Sequence, residues 1–176
     1  MEEPSLVVFG LEELGPSLQT LLEVLQKAGN PVEIGVGIAG PASAEELATT
    51  DWEAAFVRWT EPELHEVWLI ERTVREREED AESFLKAMMQ RIANHDDVAG
   101  QMIVLDHLRR TQTYYTFQLY DALYAEEDHP AWAALDVALR CLAEPSEGMI
   151  YAAAEGFYDA EGEMMLAEEE TTTENL

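Results

Sequence analysis

Histidines beside carboxylates are the first residues in the sequence that could do chemistry. His95 precedes Asp96 and Asp97, and Asp106 precedes His107. Hydrolytic zinc and manganese sites use these ligand types, but three or four of them must converge on one ion. The sequence has no H-E-x-x-H or H-x-H motif, and with 37 acidic residues a histidine often has an acidic neighbour by chance. We therefore predict no metal and no cofactor. If a metal were bound, these five residues would be its candidate ligands.

Arginines form the second set of candidates. Half of the ten basic residues follow two predicted strands, at 66–71 and 101–105: Arg72, Arg75, Arg77, Arg109 and Arg110. If these guanidinium groups gather at related ends of a sheet, they could hold a carboxylate or phosphate ligand through bidentate contacts. The alternative is that Arg75 and Arg77 pair with the glutamates beside them on the surface.

Aromatic residues crowd the predicted strand at 113–119 and its exit. Strand alternation places Tyr115 and Phe117 on one face and Tyr114 and Tyr120 on the other. If helices cover only one face, the second set is exposed or is covered by another chain. The candidate interface residues, for a partner or for a homodimer, are therefore Tyr114, Tyr120, Trp59 and Trp68. The alternative is a second, smaller core beneath loops.

Three further motifs favour structural interpretations. Residues 35–40 match G-x-G-x-x-G, but strand alternation continues through the early glycines and Pro41 follows, unlike a dinucleotide-binding turn. Residues 159–163 alternate carboxylates as a calcium loop does, but the glycine is misplaced, so a hairpin turn is predicted. Cys141, the single cysteine, falls within a predicted helix and is interpreted as a small core residue. Nucleophilic catalysis has no motif here.

The elements that must position these residues follow the order βαβ-ββα-ββα-ββ. Leucines at 18, 21, 22 and 25 predict a helix ending near residue 28, and alternation predicts a strand at 32–38. The spacing of Ser43 and Glu46 is that of a capping box and predicts one or two turns of helix. Further predicted strands lie at 5–9, 54–59, 66–71, 101–105, 113–119, 148–154 and 163–168, and further helices at 84–92 and 132–142. We predict an α+β fold in which successive hairpins form a largely antiparallel sheet, with about three helices packed on one face. A single domain should span residues 1–167, followed by a disordered acidic tail at 168–176.

The charge of the chain restricts its partners. Ten basic residues against 37 acidic residues give a formal net charge of −27, which repels nucleic-acid phosphates and anionic lipids. We expect neither direct nucleic-acid binding nor membrane binding. No run approaches the roughly 18 apolar residues of a membrane helix, and the N-terminus lacks the basic start of a signal peptide. Together with a single cysteine, which is typical of a reducing compartment, this predicts a cytoplasmic protein.

Three functions agree with these observations. The charge favours a non-enzymatic interaction or regulatory protein that binds a basic protein partner, with an inhibitor that mimics nucleic-acid charge as a special case. The alternative is a small metal-dependent or carboxylate-dependent hydrolase, or a small-molecule-binding enzyme with an arginine-lined anion site. A third interpretation is that the acidity reflects a saline cytoplasm. A single continuous acidic stripe on the folded protein would favour the first, a carboxylate-lined concavity the second, and evenly dispersed charge the third.

Overall fold

A computed structural model describes residues 4–169, and its eight strands form one antiparallel sheet. The strands are β1 (Leu6–Gly10), β2 (Val32–Gly35), β3 (Ala54–Trp59), β4 (His65–Val74), β5 (Thr113–Leu119), β6 (Met149–Ala152), β7 (Gly156–Tyr158) and β8 (Met164–Ala167). Their order across the sheet is β2-β3-β4-β5-β1-β6-β7-β8, and every neighbouring pair is antiparallel. The predicted α+β class, with an antiparallel sheet built largely from hairpins, is confirmed.

Six α-helices cover both faces of this sheet, rather than one face as predicted. They are α1 (Leu18–Lys27), α2 (Ala44–Ala48), α3 (Glu79–Arg91), α4 (Val98–Arg110), α5 (Asp121–Ala125) and α6 (Ala131–Ala143), and a 3-10 turn follows at Glu144–Ser146. Val8 of β1 belongs to one core, with α1 and α6. Its neighbours Val7 and Phe9 point the other way and belong to a second core, with α3 and α4.

The second core exists because a segment predicted as a strand is a helix. Residues 101–105 lie within α4, whose N-cap residue Asp97 accepts a hydrogen bond from the Gly100 N–H at 3.0 Å. Val104 and Leu108 are buried one helical turn apart. A short apolar run does not distinguish a buried strand from a buried helix, and at 101–105 the strand prediction was wrong. The sheet still has eight strands because β7 follows β6 after a short turn.

Other local predictions agree with the structure. Ser43 and Glu46 form a reciprocal capping box at the start of α2. Residues 159–163 form the β7–β8 turn, in which the Asp159 carboxylate accepts hydrogen bonds from the backbone N–H groups of Glu161 and Glu163. Within residues 4–169 no helix has the length and apolarity needed to cross a membrane. Of the predicted tail, residues 170–176 lie outside the described residues, whereas the Glu168 carboxylate accepts a hydrogen bond from the Ala154 N–H.

Candidate functional site

The five residues named as potential metal ligands do not converge. His95 donates from Nε2 to the Ala167 carbonyl at 2.6 Å, whereas buried His107 donates to the Phe9 carbonyl at 2.9 Å. Asp97 caps α4, and Asp106 pairs with an arginine one turn later. Across residues 4–169 no three His, Cys, Asp or Glu side chains are placed to hold a metal ion.

Two of the predicted anion-binding arginines meet at one carboxylate of the chain itself. Buried Arg72 donates to Asp51 Oδ1 at 3.0 Å and to the backbone carbonyls of Trp52 and Glu13. Arg77, which is half exposed, donates to the same Oδ1 at 2.6 Å. Hydrogen bonds from Arg77 and then from Arg72 lower the pKa of Asp51. These two guanidinium groups therefore join the loops before α1 and before β3 to the end of β4.

The other three arginines lie near the C-terminus of α4. Arg75 forms an ion pair with Glu82 and donates to the backbone carbonyls of Arg109 and Thr111. Arg109 and Arg110 line a groove of about 750 Å³. Two carboxylates, Glu12 and Glu147, line the same groove. Four of the five arginines therefore bind the protein's own oxygens, Arg110 through Asp106, and Arg109 and Arg110 face a groove of mixed charge.

The aromatic interface candidates are mostly inside the protein. Tyr114 packs against Phe84 of α3 with ring centroids 4.7 Å apart, because α3 and α4 cover the face that was expected to be open. Trp59 and Trp68 are buried in the core beneath α1 and α6, and only Tyr120 is partly exposed. A second core, the alternative considered above, therefore accounts for the alternation of aromatic residues along β5.

The glycine motif surrounds an arginine. Arg58 of β3 is buried, and its guanidinium donates to the carbonyls of Gly37 at 2.7 Å and Gly40 at 3.2 Å. A phosphate-binding turn instead directs backbone N–H groups toward its ligand. A Cβ atom on Gly35 would lie 2.4 Å from Arg58 Nη1, which explains a glycine at the end of β2. Residues 36–40 therefore form an arginine-anchored loop. The strand predicted at 32–38 ends at Gly35, so the prediction that strand alternation continues through Gly37 was wrong.

The single cysteine is not a nucleophile at neutral pH. Burial, followed by the negative charge of Glu144, raises the pKa of Cys141 to about 11. A thiol with that pKa is almost entirely protonated at pH 7, and the thiolate is the reactive form. Cys141 packs at the margin of the core beneath α6, as the sequence predicted.

The structure brings together two acidic loops that the sequence analysis did not connect. Residues 60–66 connect β3 to the start of β4, and residues 120–130 follow β5. The two segments are adjacent because β4 and β5 pair, with Trp68 opposite Leu119. We call these two segments the acidic end. They contain neither Lys nor Arg, and their acidic residues are Glu61, Glu63, Glu66, Asp121, Glu126, Glu127 and Asp128.

A hydrogen bond between two histidines joins the halves of the acidic end. His65 Nε2 and His129 Nε2 are 2.9 Å apart. His65 Nδ1 contacts the Glu63 carbonyl at 2.7 Å, so this nitrogen carries a proton and Nε2 is the acceptor. His129 Nδ1 accepts from the Ala131 N–H at 3.0 Å, so His129 Nε2 carries a proton and donates to His65. Both rings are therefore neutral, and each ring nitrogen has one partner.

This histidine pair should make stability depend on pH. Burial, and then the neighbouring His65, lower the pKa of His129, although Glu126 acts in the opposite direction. The unfolded chain therefore binds more protons below the ordinary histidine pKa of about 6.5. We expect the pair's contribution to be present above that pH and to be lost as the pH falls toward 5. The loss should be about 1 kcal/mol, the net value of one hydrogen bond, measured by urea unfolding.

A matched pair of variants isolates the histidine contribution. His129→Gln should reduce the fall in unfolding free energy between pH 7 and 5, whereas His95→Gln, outside the pair, should retain it. Part of the pH dependence should remain in both variants because burial also lowers the pKa of His107. An unchanged pH dependence in His129→Gln would contradict the prediction.

Comparison of the chain with protein-family models, with curated proteins and with solved structures finds no match. Its function must therefore be inferred from its own side chains and their arrangement.

Proposed function

We propose that this chain is a non-enzymatic interaction protein whose acidic end binds a basic segment of a protein partner. The observation that carries this proposal is the concentration of negative charge at the acidic end, which has seven acidic residues and neither Lys nor Arg. At the acidic end, only Glu66 has an arginine within ion-pair distance, Arg58 at 3.9 Å.

Uncompensated charge of one sign on a surface attracts a partner of opposite charge and accelerates its association. Six of the seven carboxylates at the acidic end lie on exposed residues, and only Glu66 is partly covered. Lysine and arginine side chains of a partner could contact them with little loss of hydration. The −27 charge of the whole chain would add long-range attraction to the same partner.

Exposed apolar side chains in the same two loops indicate what else the partner should carry. Leu64 is 59% exposed and Tyr124 is 62% exposed. The rings of Tyr124 and Trp132 form a T-shaped contact, with centroids 5.7 Å apart. This contact holds the exposed Tyr124 ring in position. An amphipathic basic segment would place its cations on the carboxylates and its apolar side chains on Leu64 and Tyr124. Arginine over the tyrosine ring adds a cation–π contact.

The enzymatic alternative has less support. An arginine-lined anion site needs guanidinium groups that are free to bind a ligand, and Arg72, Arg75 and Arg77 each bind a carboxylate of the chain. The proposed cytoplasmic location is supported by the single cysteine, which is typical of proteins kept in a reducing compartment.

The proposal is tested by removing charge at the acidic end and at a matched location. The probe is a fluorescent helical peptide with Leu residues on one face and Lys residues on the opposite face, with binding measured by anisotropy. The variant Glu63→Gln, Glu127→Gln, Asp128→Asn removes three exposed charges and should weaken binding about tenfold, at roughly 0.5 kcal/mol for each surface charge pair.

The control variant has the same net charge as the triple variant at the acidic end. Glu45→Gln, Glu76→Gln, Glu79→Gln removes three exposed carboxylates on other elements, and it should weaken binding less than about twofold, through long-range attraction alone. An equal loss in both variants would mean that binding follows total charge, which would contradict a specific acidic docking surface and favour general acidity.

A further inference from the structure

Helix α4 exposes an apolar surface that no other part of the described chain covers. Val98 is 59% exposed, Met102 is 65% exposed and Ile103 is 56% exposed. The helical repeat places them away from Val104 and Leu108, which face the core. We call this surface, together with the charged residues at its two ends, the outer face of α4. It uses none of the residues of the acidic end.

The two ends of the outer face carry opposite charges. Asp96 and Asp97 precede the first turn of α4, and Arg109 and Arg110 end its last turn. Arg110 is paired with Asp106, so Arg109 carries the positive charge at this end that a second molecule could contact. Arg109 is exposed, and its guanidinium has no hydrogen-bond or ion-pair partner among residues 4–169. In a chain with only ten basic residues against 37 acidic ones, an unpaired arginine beside an exposed apolar surface is a feature that requires an explanation.

We propose that the outer face of α4 binds the same face of a second copy of this chain, with the two helices antiparallel about a twofold axis between Met102 and Ile103. In that register Met102 faces Ile103 of the second copy, and Asp96 faces Arg109 of the second copy. Twofold symmetry forms each contact twice, as in an isologous interface. A parallel arrangement would place Asp96 against Asp96 and Arg109 against Arg109, so the charges select the antiparallel one.

Net charge controls when this dimer forms. Each copy carries −27, so long-range repulsion opposes association at low ionic strength, where the Debye length is about 30 Å at 10 mM salt. At 150 mM that length falls to about 8 Å, while contacts between apolar side chains are not screened. Dimerisation should therefore strengthen from 10 to about 150 mM NaCl, whereas binding of a basic partner at the acidic end should weaken over the same range.

Sedimentation equilibrium of the full chain tests the proposal at both salt concentrations. The wild type should show a monomer–dimer equilibrium that shifts toward dimer at about 150 mM NaCl. Met102→Asp should raise the dimer dissociation constant at least about tenfold, because each dimer would contain two charges in its apolar centre. The matched control is Val24→Asp on α1, which introduces the same charge at another exposed apolar position and should leave the equilibrium almost unchanged.

Charge reversal tests the antiparallel register and does not depend on loss of folding. Asp96→Arg and Arg109→Asp should each weaken the dimer about tenfold, because each places like charges opposite one another at two positions. The double variant Asp96→Arg, Arg109→Asp should recover most of the wild-type affinity. A wild type that stays monomeric at both salt concentrations, a dimer unaffected by Met102→Asp, or a double variant no better than the single ones would each overturn the proposal.

Discussion

Replacing Arg72 with methionine should lower the free energy of unfolding by about 3 kcal/mol, because two backbone carbonyls would lose a buried charged donor at roughly 1–3 kcal/mol each. The Arg72 side chain is only 2% exposed. It supplies hydrogen bonds to Asp51, to the Trp52 carbonyl and to the Glu13 carbonyl. Methionine has similar length and fills the space, but it has no donor for those oxygens. The loops before α1 and before β3 would then lose a common anchor.

The control for Arg72→Met is Arg77→Met, because both arginines donate to the same oxygen of Asp51. Arg77 is 49% exposed, and solvent screening leaves exposed ion pairs with little net contribution to stability, so Arg77→Met should cost much less than Arg72→Met. Urea unfolding of both variants separates the contribution of burial from that of the ion pair. Equal losses in the two variants would show that burial of Arg72 adds nothing, contrary to our expectation.

The sequence predicted those elements whose pattern repeats over several turns or strand residues. The leucine spacing of α1, the alternation along β5 and the Ser43 capping box are local signals, and each element formed where expected. At residues 101–105 the local signal is ambiguous, since an apolar run of five residues fits either a strand or a buried helix. Because residues 101–105 were predicted to be a strand, the predicted fold lacked helix α4, and one face of its sheet was left uncovered.

The candidate sites show a similar division. Arg72, Arg75 and Arg77 lie in or just after β4, as their positions predicted, whereas Arg109 and Arg110 end helix α4 rather than follow a strand. The partners of these arginines were not predicted. Arg77 has glutamates on both sides in the sequence, yet it binds Asp51 and Glu13, which are brought to it by loops from distant parts of the chain. The acidic end likewise depends on the β4–β5 register and on the contact between His65 and His129, 64 residues apart. Contact between distant segments leaves no pattern in the local sequence, so the acidic end could not be predicted. The absence of Lys and Arg from both of its segments could have been noticed in the sequence.

Replacing Arg58 with methionine should destabilise the fold by about 3 kcal/mol, because Arg58 is the buried cation that anchors the loop after β2. Its guanidinium binds the carbonyls of Gly37 and Gly40. It also lies 4.0 Å from Glu33 Oε1, an oxygen that is buried without a hydrogen-bond partner. In the methionine variant this buried oxygen would lose its neighbouring cation, and leaving a largely buried charge unpaired is costly, although the Glu33 side chain is 25% exposed.

A second substitution distinguishes this explanation from a simple loss of packing. In the wild type, Glu33→Gln should be neutral or slightly destabilising, because it weakens the attraction to Arg58. In the Arg58→Met background the same change should be stabilising by about 1 kcal/mol or more, because it removes the unpaired charge. Hydrogen exchange provides a local measurement: the Ala42 N–H, which donates to the Ile34 carbonyl at 2.8 Å, should exchange faster once the loop loses its anchor. If Glu33→Gln changes the free energy of unfolding in the same direction in both backgrounds, Arg58 does not compensate the charge of Glu33 and the predicted coupling is wrong.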